Sequence, residues 1–336
     1  MISKKQSGHQ FAEVVSMIER ARYNAIRHAN SELIQLYWSI GQHISKKLAS
    51  AEWGEAVVDQ LADFIQAHYP GIKGFTRRGL YRMRQFFEIY PRRKFVSATL
   101  TQISWTNHLL ILSKTKTNAE REFYSMLAIN EKYTSRELGR QIDSGFFERA
   151  ILSKKKISPM LAHVYPNAIN NFKDTYVLDF LNLPKSYAEQ DLQRSIVSNL
   201  KNFILEFGRD FSFVGQEYRI QVGKNDYFID LLFFHRGLRC LVMFELKIDD
   251  FKPEYLGKLN FYLEALDRDV KKPEENPSVG LILCKSKDEE VVEYALSRNL
   301  SPALVVEYKT KLIPRKVLQK KLHEYYLLNN LKAPKE

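Results

Sequence analysis

The stretch from Tyr227 to Lys247 constrains this chain more than any other. Tyr227–Phe234 and Arg239–Lys247 are apolar arms rich in aromatic and branched residues, the composition of buried strands. Gly237 and Leu238 between them fit the central positions of a type II′ hairpin turn. A two-residue loop there pairs Arg236 with Arg239, and counting outward places Asp230 opposite Glu245. Side chains alternate between the faces of a strand, so Lys247 points the same way as Glu245. Three ionisable groups are thus predicted on one face of an otherwise apolar ribbon.

That juxtaposition is unfavourable on its own. Directly opposed carboxylates sit about 5 Å apart and repel, and burial raises the cost of both charges. A hard divalent cation resolves the conflict, because Mg²⁺ takes oxygens from one or two carboxylates and keeps several of its waters. A neighbouring lysine can then hold an attacking water or stabilise charge developing on a phosphate. The plainer alternative is a buried ion pair of Lys247 with one carboxylate, although one lysine neutralises only one of the two.

Around this ribbon the sequence divides in two. A chain of 336 residues is long enough for two cores. Its net charge of +12 is uneven: residues 1–150 hold 22 Lys and Arg against 14 Asp and Glu, the remainder 29 against 25. The N-terminal excess suggests a polyanion-binding surface. Helical spacing predicts two long helices within Phe11–Leu48, one over Glu55–His68, and further helices at Asn118–Ile129 and Ser135–Ala150. After the break at Tyr69–Phe75, Thr76 can cap a helix whose inner stripe is Leu80, Met83, Phe87 and Tyr90. Its other faces carry Arg77, Arg78, Tyr81, Arg82, Arg84 and Gln85, which suits a helix-turn-helix reading a nucleic-acid groove, or simply a solvated basic face. The expected organisation is a helical domain over 11–150, a linker over 151–173, and a second domain over 174–330.

The second domain opens with a helix over Tyr187–Phe207 that Gly208 ends. Strands follow at Phe213–Val222, Tyr227–Phe234 and Arg239–Lys247, then a helix at Lys252–Leu266 and a strand at Val279–Cys284. A helix at Asp288–Ser297, a strand at Ala303–Tyr308 and a helix at Arg315–Asn329 complete it. If Val222 and Tyr227 flank the first turn, Arg219 falls opposite Asp230 and Glu217 shares that face diagonally. Cys240 and Cys284 lack metal-ligand spacing and read as buried thiols in a reducing compartment. The start has no apolar signal core and no apolar run suits a bilayer, so a cytoplasmic location is expected. Phosphate-loop, dinucleotide, nucleophile-elbow and zinc-protease motifs are absent from the sequence.

Asp230 followed by Glu245-Leu246-Lys247 resembles the Asp…(Asp/Glu)-X-Lys signature of the PD-(D/E)XK nucleases. Phe211–Arg219, Phe244–Lys247, Gly257–Asp267 and Gly280–Ser286 are similar to the YhcG-like members of that superfamily. So are Tyr37–Gly41, Gly74–Thr76 and Met83–Phe87 in the first half, and the likeness runs from about residue 11 to 330. The resemblance implies an α-helical N-terminal domain and an α/β C-terminal domain with a restriction-endonuclease-like αβββαβ core on a mixed sheet. It also implies a Mg²⁺- or Mn²⁺-dependent endonuclease. Asp230, Glu245 and the Leu246 carbonyl would hold the metal, and Lys247 would position water. Glu206 or Glu217 would supply a further carboxylate. Lys258 stands where many members carry glutamine. DNA is the expected partner, and a homodimer would suit cutting two strands. The alternatives are an RNA-cleaving enzyme using the same site, or a non-catalytic nucleic-acid-binding or assembly protein on this fold.

Overall fold

The computed structural model describes residues 4–92, 96, 99–153, 155–166 and 172–328. The chain divides after Gly139 into two compact units. The first contains α1 (Lys4–Ala49), α2 (Glu55–His68), α3 (Arg77–Ile89), a 3₁₀ turn at Leu100–Gln102, α4 (Trp105–Lys114), α5 (Asn118–Glu131) and the start of α6 (Ser135–Asp143). Tyr37, Ile44, Val58, Ala62, Leu80 and Met83 bring α1, α2 and α3 into one apolar cluster. The Thr76 hydroxyl accepts the Gly79 amide at 3.3 Å and starts α3, as the sequence predicts. At Gly41 the backbones of α1 and α3 nearly touch, since a Cβ there would lie 2.0 Å from the Met83 carbonyl oxygen.

One expectation changes here. α1 is a single helix of 46 residues rather than two. No proline or glycine interrupts the described part of it between Phe11 and Ile40, so its apolar positions, from Val15 and Ile18 to Leu36 and Ile40, lie along one rod. Its N-terminal apolar residues are not packed into a core: Val15 and Ile18 are both more than half exposed.

The second unit holds α7 (Phe146–Leu152), α8 (Pro159–Val164), β1 (Thr175–Val177), α9 (Glu189–Ser198), α10 (Leu200–Phe207), β2 (Phe211–Val222), β3 (Asn225–His235) and β4 (Cys240–Leu246). It continues with α11 (Tyr255–Ala265), β5 (Asn276–Cys284), α12 (Glu289–Ser297), β6 (Ala303–Lys309) and α13 (Arg315–Leu328). The six strands form one mixed sheet in the order β1-β6-β5-β4-β3-β2. β2, β3 and β4 pair antiparallel, and β4, β5, β6 and β1 pair parallel. On one face Leu161, Leu192, Ile196, Phe203 and Phe207 cover Leu231, Phe233, Val242 and Phe244. On the other, Leu256, Leu259, Leu263, Val292 and Leu296 cover Leu241, Met243, Ile282 and Val305. Burial on both faces explains why the β4 and β5 sequences are nearly unbroken apolar runs.

Three boundaries differ from expectation. Tyr187–Phe207 is two helices broken at Asn199. Ser135–Ala150 breaks at Gly145, which adopts φ 63°. The 151–173 stretch, expected as a linker, is built into the second unit over much of its described length. The Ser158 amide donates to the Ala303 carbonyl at 2.9 Å, the Ser158 hydroxyl accepts the Ala303 amide, and Leu161 is fully buried against the sheet. Among the described residues no helix is long and apolar enough to cross a membrane.

Candidate active site

The β3–β4 ladder runs from His235 opposite Cys240 to Leu231 opposite Phe244. The next step in that register sets Asp230 against Glu245, as the sequence predicts. The turn itself is longer than expected. Residues 236–239 all leave the ladder, and Arg239 rather than Gly237 takes the left-handed conformation, at φ 54°. The Arg236 amide donates instead to Asp210 O at 2.8 Å, and the Leu238 amide donates to His235 Nδ1 at 3.1 Å. Losing the Arg236–Arg239 pair leaves the pairing phase unchanged, so Asp230 still meets Glu245.

Glu245 is fully buried. Its Oε1 accepts Lys258 Nζ at 2.7 Å and Lys247 Nζ at 3.1 Å. Its Oε2 is buried and has no hydrogen-bond partner among the described residues, a costly state for a carboxylate oxygen. Asp230 Oδ2 accepts the Leu246 amide at 2.7 Å. Burial, with the Glu245 charge adding to it, pushes the Asp230 carboxyl up to about 6, although that hydrogen bond and both lysines pull the other way. Burial opposes the charge on Lys247, but Glu245 and Glu189 outweigh it and raise its pKa. Glu245 and Asp230 do the same for Lys258.

The site has partners that sequence reasoning missed. Glu189, at the start of α9, receives Lys247 Nζ at 3.1 Å. One turn later Gln193 donates to the Asp230 backbone carbonyl at 2.8 Å. Lys247 also lies 5.2 Å from the centre of the Tyr255 ring, whose hydroxyl donates to Asp249. A polar pair four residues apart beside the buried Leu192 and Ile196 was the available signal for Glu189 and Gln193.

Comparison with known proteins places the chain in a family. A family model described as "YhcG PDDEXK nuclease domain" matches residues 169–323, and one described as "DUF1016 N-terminal domain" matches residues 13–149. An Escherichia coli (strain K12) protein described as "Putative nuclease YhcG" is 30% identical over 348 aligned residues, covering 92% of each chain. The chain belongs to the YhcG family of PD-(D/E)XK nucleases. Among solved structures, a repair endonuclease from Pyrococcus abyssi aligns over 37% of this chain and 50% of its own, at 16% identity and a TM-score of 0.26.

Within this YhcG-family nuclease domain, two expected carboxylates lie differently. Glu206 is fully buried in α10, but its partners are Arg140 at 2.8 Å, Lys173 at 3.3 Å, Arg149 at 3.9 Å and the Val177 amide at 3.0 Å. Burial opposes its charge, yet these cations hold its carboxyl down to about 2. Glu206 therefore braces α6, α7 and β1 and makes none of these contacts with Asp230 or Glu245. Glu189, from the start of the preceding helix, is the helical carboxylate that reaches Lys247. Glu217 is exposed, with φ 42°, at an irregular point of β2. Val222 pairs with Asn225 rather than Tyr227, so Arg219 faces Phe228, and the count sets Glu217 opposite Asp230. A tight turn at Gly223, φ 63°, imposes this two-residue change. His235, the last residue of β3, is buried, and five strand residues from Asp230 amount to about 17 Å.

The donor set fits a hard divalent ion. Among the described residues no group of three or more His, Cys, Asp or Glu could hold a metal. Mg²⁺ needs only one or two carboxylates beside its waters, and Glu245 Oε2 is a buried oxygen with no donor among the described residues. An open cleft of about 500 Å³ lies beside the C-terminal ends of β4, β5 and β6, lined by Asp249, Asp250, Lys285, Ser286, Tyr308 and Lys309 among others. Such strand ends are the usual ligand side of an open α/β sheet.

The basic helix lies in the first unit. Arg78 and Gln85 are exposed and Arg82 is half-buried, on one face of α3. Arg77 is tied to Asp59 at 2.7 Å and lies over Tyr81, and Arg84 is tied to Glu88 at 2.7 Å.

Proposed function

We propose that this protein is a Mg²⁺- or Mn²⁺-dependent endonuclease that hydrolyses phosphodiester bonds in DNA. The observation that carries this reading is the buried Glu245, with two lysines on one oxygen and none on the other, beside an Asp230 that resists ionisation. Asp230, Glu245 and the Leu246 carbonyl would hold the metal. When bound, the ion would polarise the phosphoryl oxygen and acidify a water. Lys247, aligned by Glu189 and the Tyr255 ring, orients the attacking water. Lys258 balances the Glu245 charge and stabilises negative charge on the phosphate, the role open to a cation where an amide is more usual. The Leu246 amide and Gln193 fix the Asp230 side chain and backbone, so the carboxylate is aimed before substrate arrives.

The helical domain, 11–150, binds nucleic acid in this reading, chiefly through Arg78, Arg82 and Gln85. Arg77, Tyr81 and Arg84 support that surface. Buried Cys240 and Cys284 thiols suit a cytoplasmic protein. The test is cleavage of a panel of duplex, single-stranded and branched DNA and of RNA, with Mg²⁺, Mn²⁺ or EDTA. Metal-dependent cutting of DNA is expected. Preferential cutting of RNA would move the substrate class, and salt-sensitive binding without cutting of any member would replace the enzyme with a binding protein.

A further inference from the structure

The outward side of α1 carries a pattern that is complementary to itself when reversed. Ile18, Arg22, Ala25, Ala29, Glu32 and Leu36 follow alternating steps of four and three, so they form one seam on the helix. All six are exposed, with Ile18 at 53% and Leu36 at 46%. The buried residues of α1, including Ile34, Tyr37 and Trp38, lie on a different side and are used by the helical unit's own core.

The seam is symmetric about position 27. Reversing the helix end for end brings Ile18 onto Leu36, Arg22 onto Glu32 and Ala25 onto Ala29, and the same three pairs recur in the second half. The only two charged residues in the seam are opposite in sign and meet each other twice. The small Ala25 and Ala29 fall at the centre, where two helices approach most closely. A parallel arrangement would instead set Arg22 against Arg22 and Glu32 against Glu32, which is repulsive. From Ile18 to Leu36 the seam is about 27 Å long, enough for five turns of helix contact.

We propose that α1 mediates an antiparallel homodimer through this seam, with Arg22–Glu32 pairs setting its direction. The occupant is a second copy of this chain, because the two-fold charge match is a property of the seam with itself. This inference is independent of the nuclease reading and is tested without measuring cleavage.

The experiment is sedimentation equilibrium on the full chain across a dilution series. The wild type is expected at twice the 39.4 kDa chain mass. Arg22→Glu alone and Glu32→Arg alone should each weaken the dimer by about tenfold or more, since both pairs become repulsive. The double variant should recover it. Mixing the two single variants should also give dimer, now a heterodimer with both pairs restored. Ile18→Asp should give monomer, with helicity by circular dichroism confirming that it is folded. A wild type that stays monomeric, or a dimer that tolerates both single charge reversals and Ile18→Asp, overturns the proposal. So does failure of the mixed single variants to associate.

Discussion

Replacing Asp230 by Asn should make the metal-free protein more stable while removing its proposed activity. Burial and the Glu245 charge displace the Asp230 carboxyl from its ordinary 3.8 to about 6. At about 1.4 kcal/mol per pK unit, its ionised form is disfavoured in the fold by about 3 kcal/mol at neutral pH. Asn removes the charge and can still accept the Leu246 amide, though a neutral acceptor forms a weaker bond. A net gain of about 2 kcal/mol remains, or roughly 4–8 °C in the unfolding of a unit this size. The sign follows from proton binding. Between about pH 4 and pH 6 the folded wild type keeps a proton that the unfolded chain has released, so its stability falls as pH rises through that window. The variant's advantage should be near zero at about pH 4 and full above about pH 7. Calorimetric melting in EDTA at several pH values measures this. Added Mg²⁺ should then stabilise the wild type more than the variant and narrow the gap. A variant less stable than wild type at neutral pH without metal, or a gain independent of pH, would refute the reasoning.

Lys247→Ala should lower the cleavage rate by about a hundredfold or more with the fold retained, whereas Lys258→Gln, which still donates to Glu245, should lose about tenfold; single-turnover rates and circular dichroism check both. Removing Arg78 and Arg82 together should weaken DNA binding and reduce the slope of log affinity against log salt by about two. Arg84→Ala should change that slope little, because Arg84 is already engaged by Glu88. Gly41→Ala should destabilise the helical unit by about 2 kcal/mol, since its Cβ would meet the Met83 carbonyl backbone; denaturant melting reads this.

The centre of the site was legible because strand phase is robust. Asp230 meets Glu245 whether the hairpin closes at Arg236–Arg239 or one pair earlier at His235–Cys240, as the sum of paired positions is the same. The β2–β3 register had no such protection, because the choice between Asn225 and Tyr227 opposite Val222 moves every pair by two. Glu206 was the natural candidate by its place at a helix end. Whether a helical carboxylate faces lysine or arginine depends on which elements pack there, and α6 and α7 contribute arginines from far along the chain. Helical spacing alone merges the start of α9 into one long helix over Tyr187–Phe207, which leaves the direction of Glu189 open. In α1 the helical spacing is legible in the sequence but not that Val15 and Ile18 face outward, which the packing of Ile34, Tyr37 and Trp38 decides.

The most direct test of the central claim is single-turnover cleavage of the best panel substrate by wild type and Asp230→Asn across a Mg²⁺ titration. The wild-type rate should rise from zero in EDTA and saturate, while the folded, more stable variant remains inactive at every concentration. Equal cleavage by the variant, or wild-type cleavage that persists in EDTA, would contradict the assignment of Asp230 and Glu245 as the metal-holding pair.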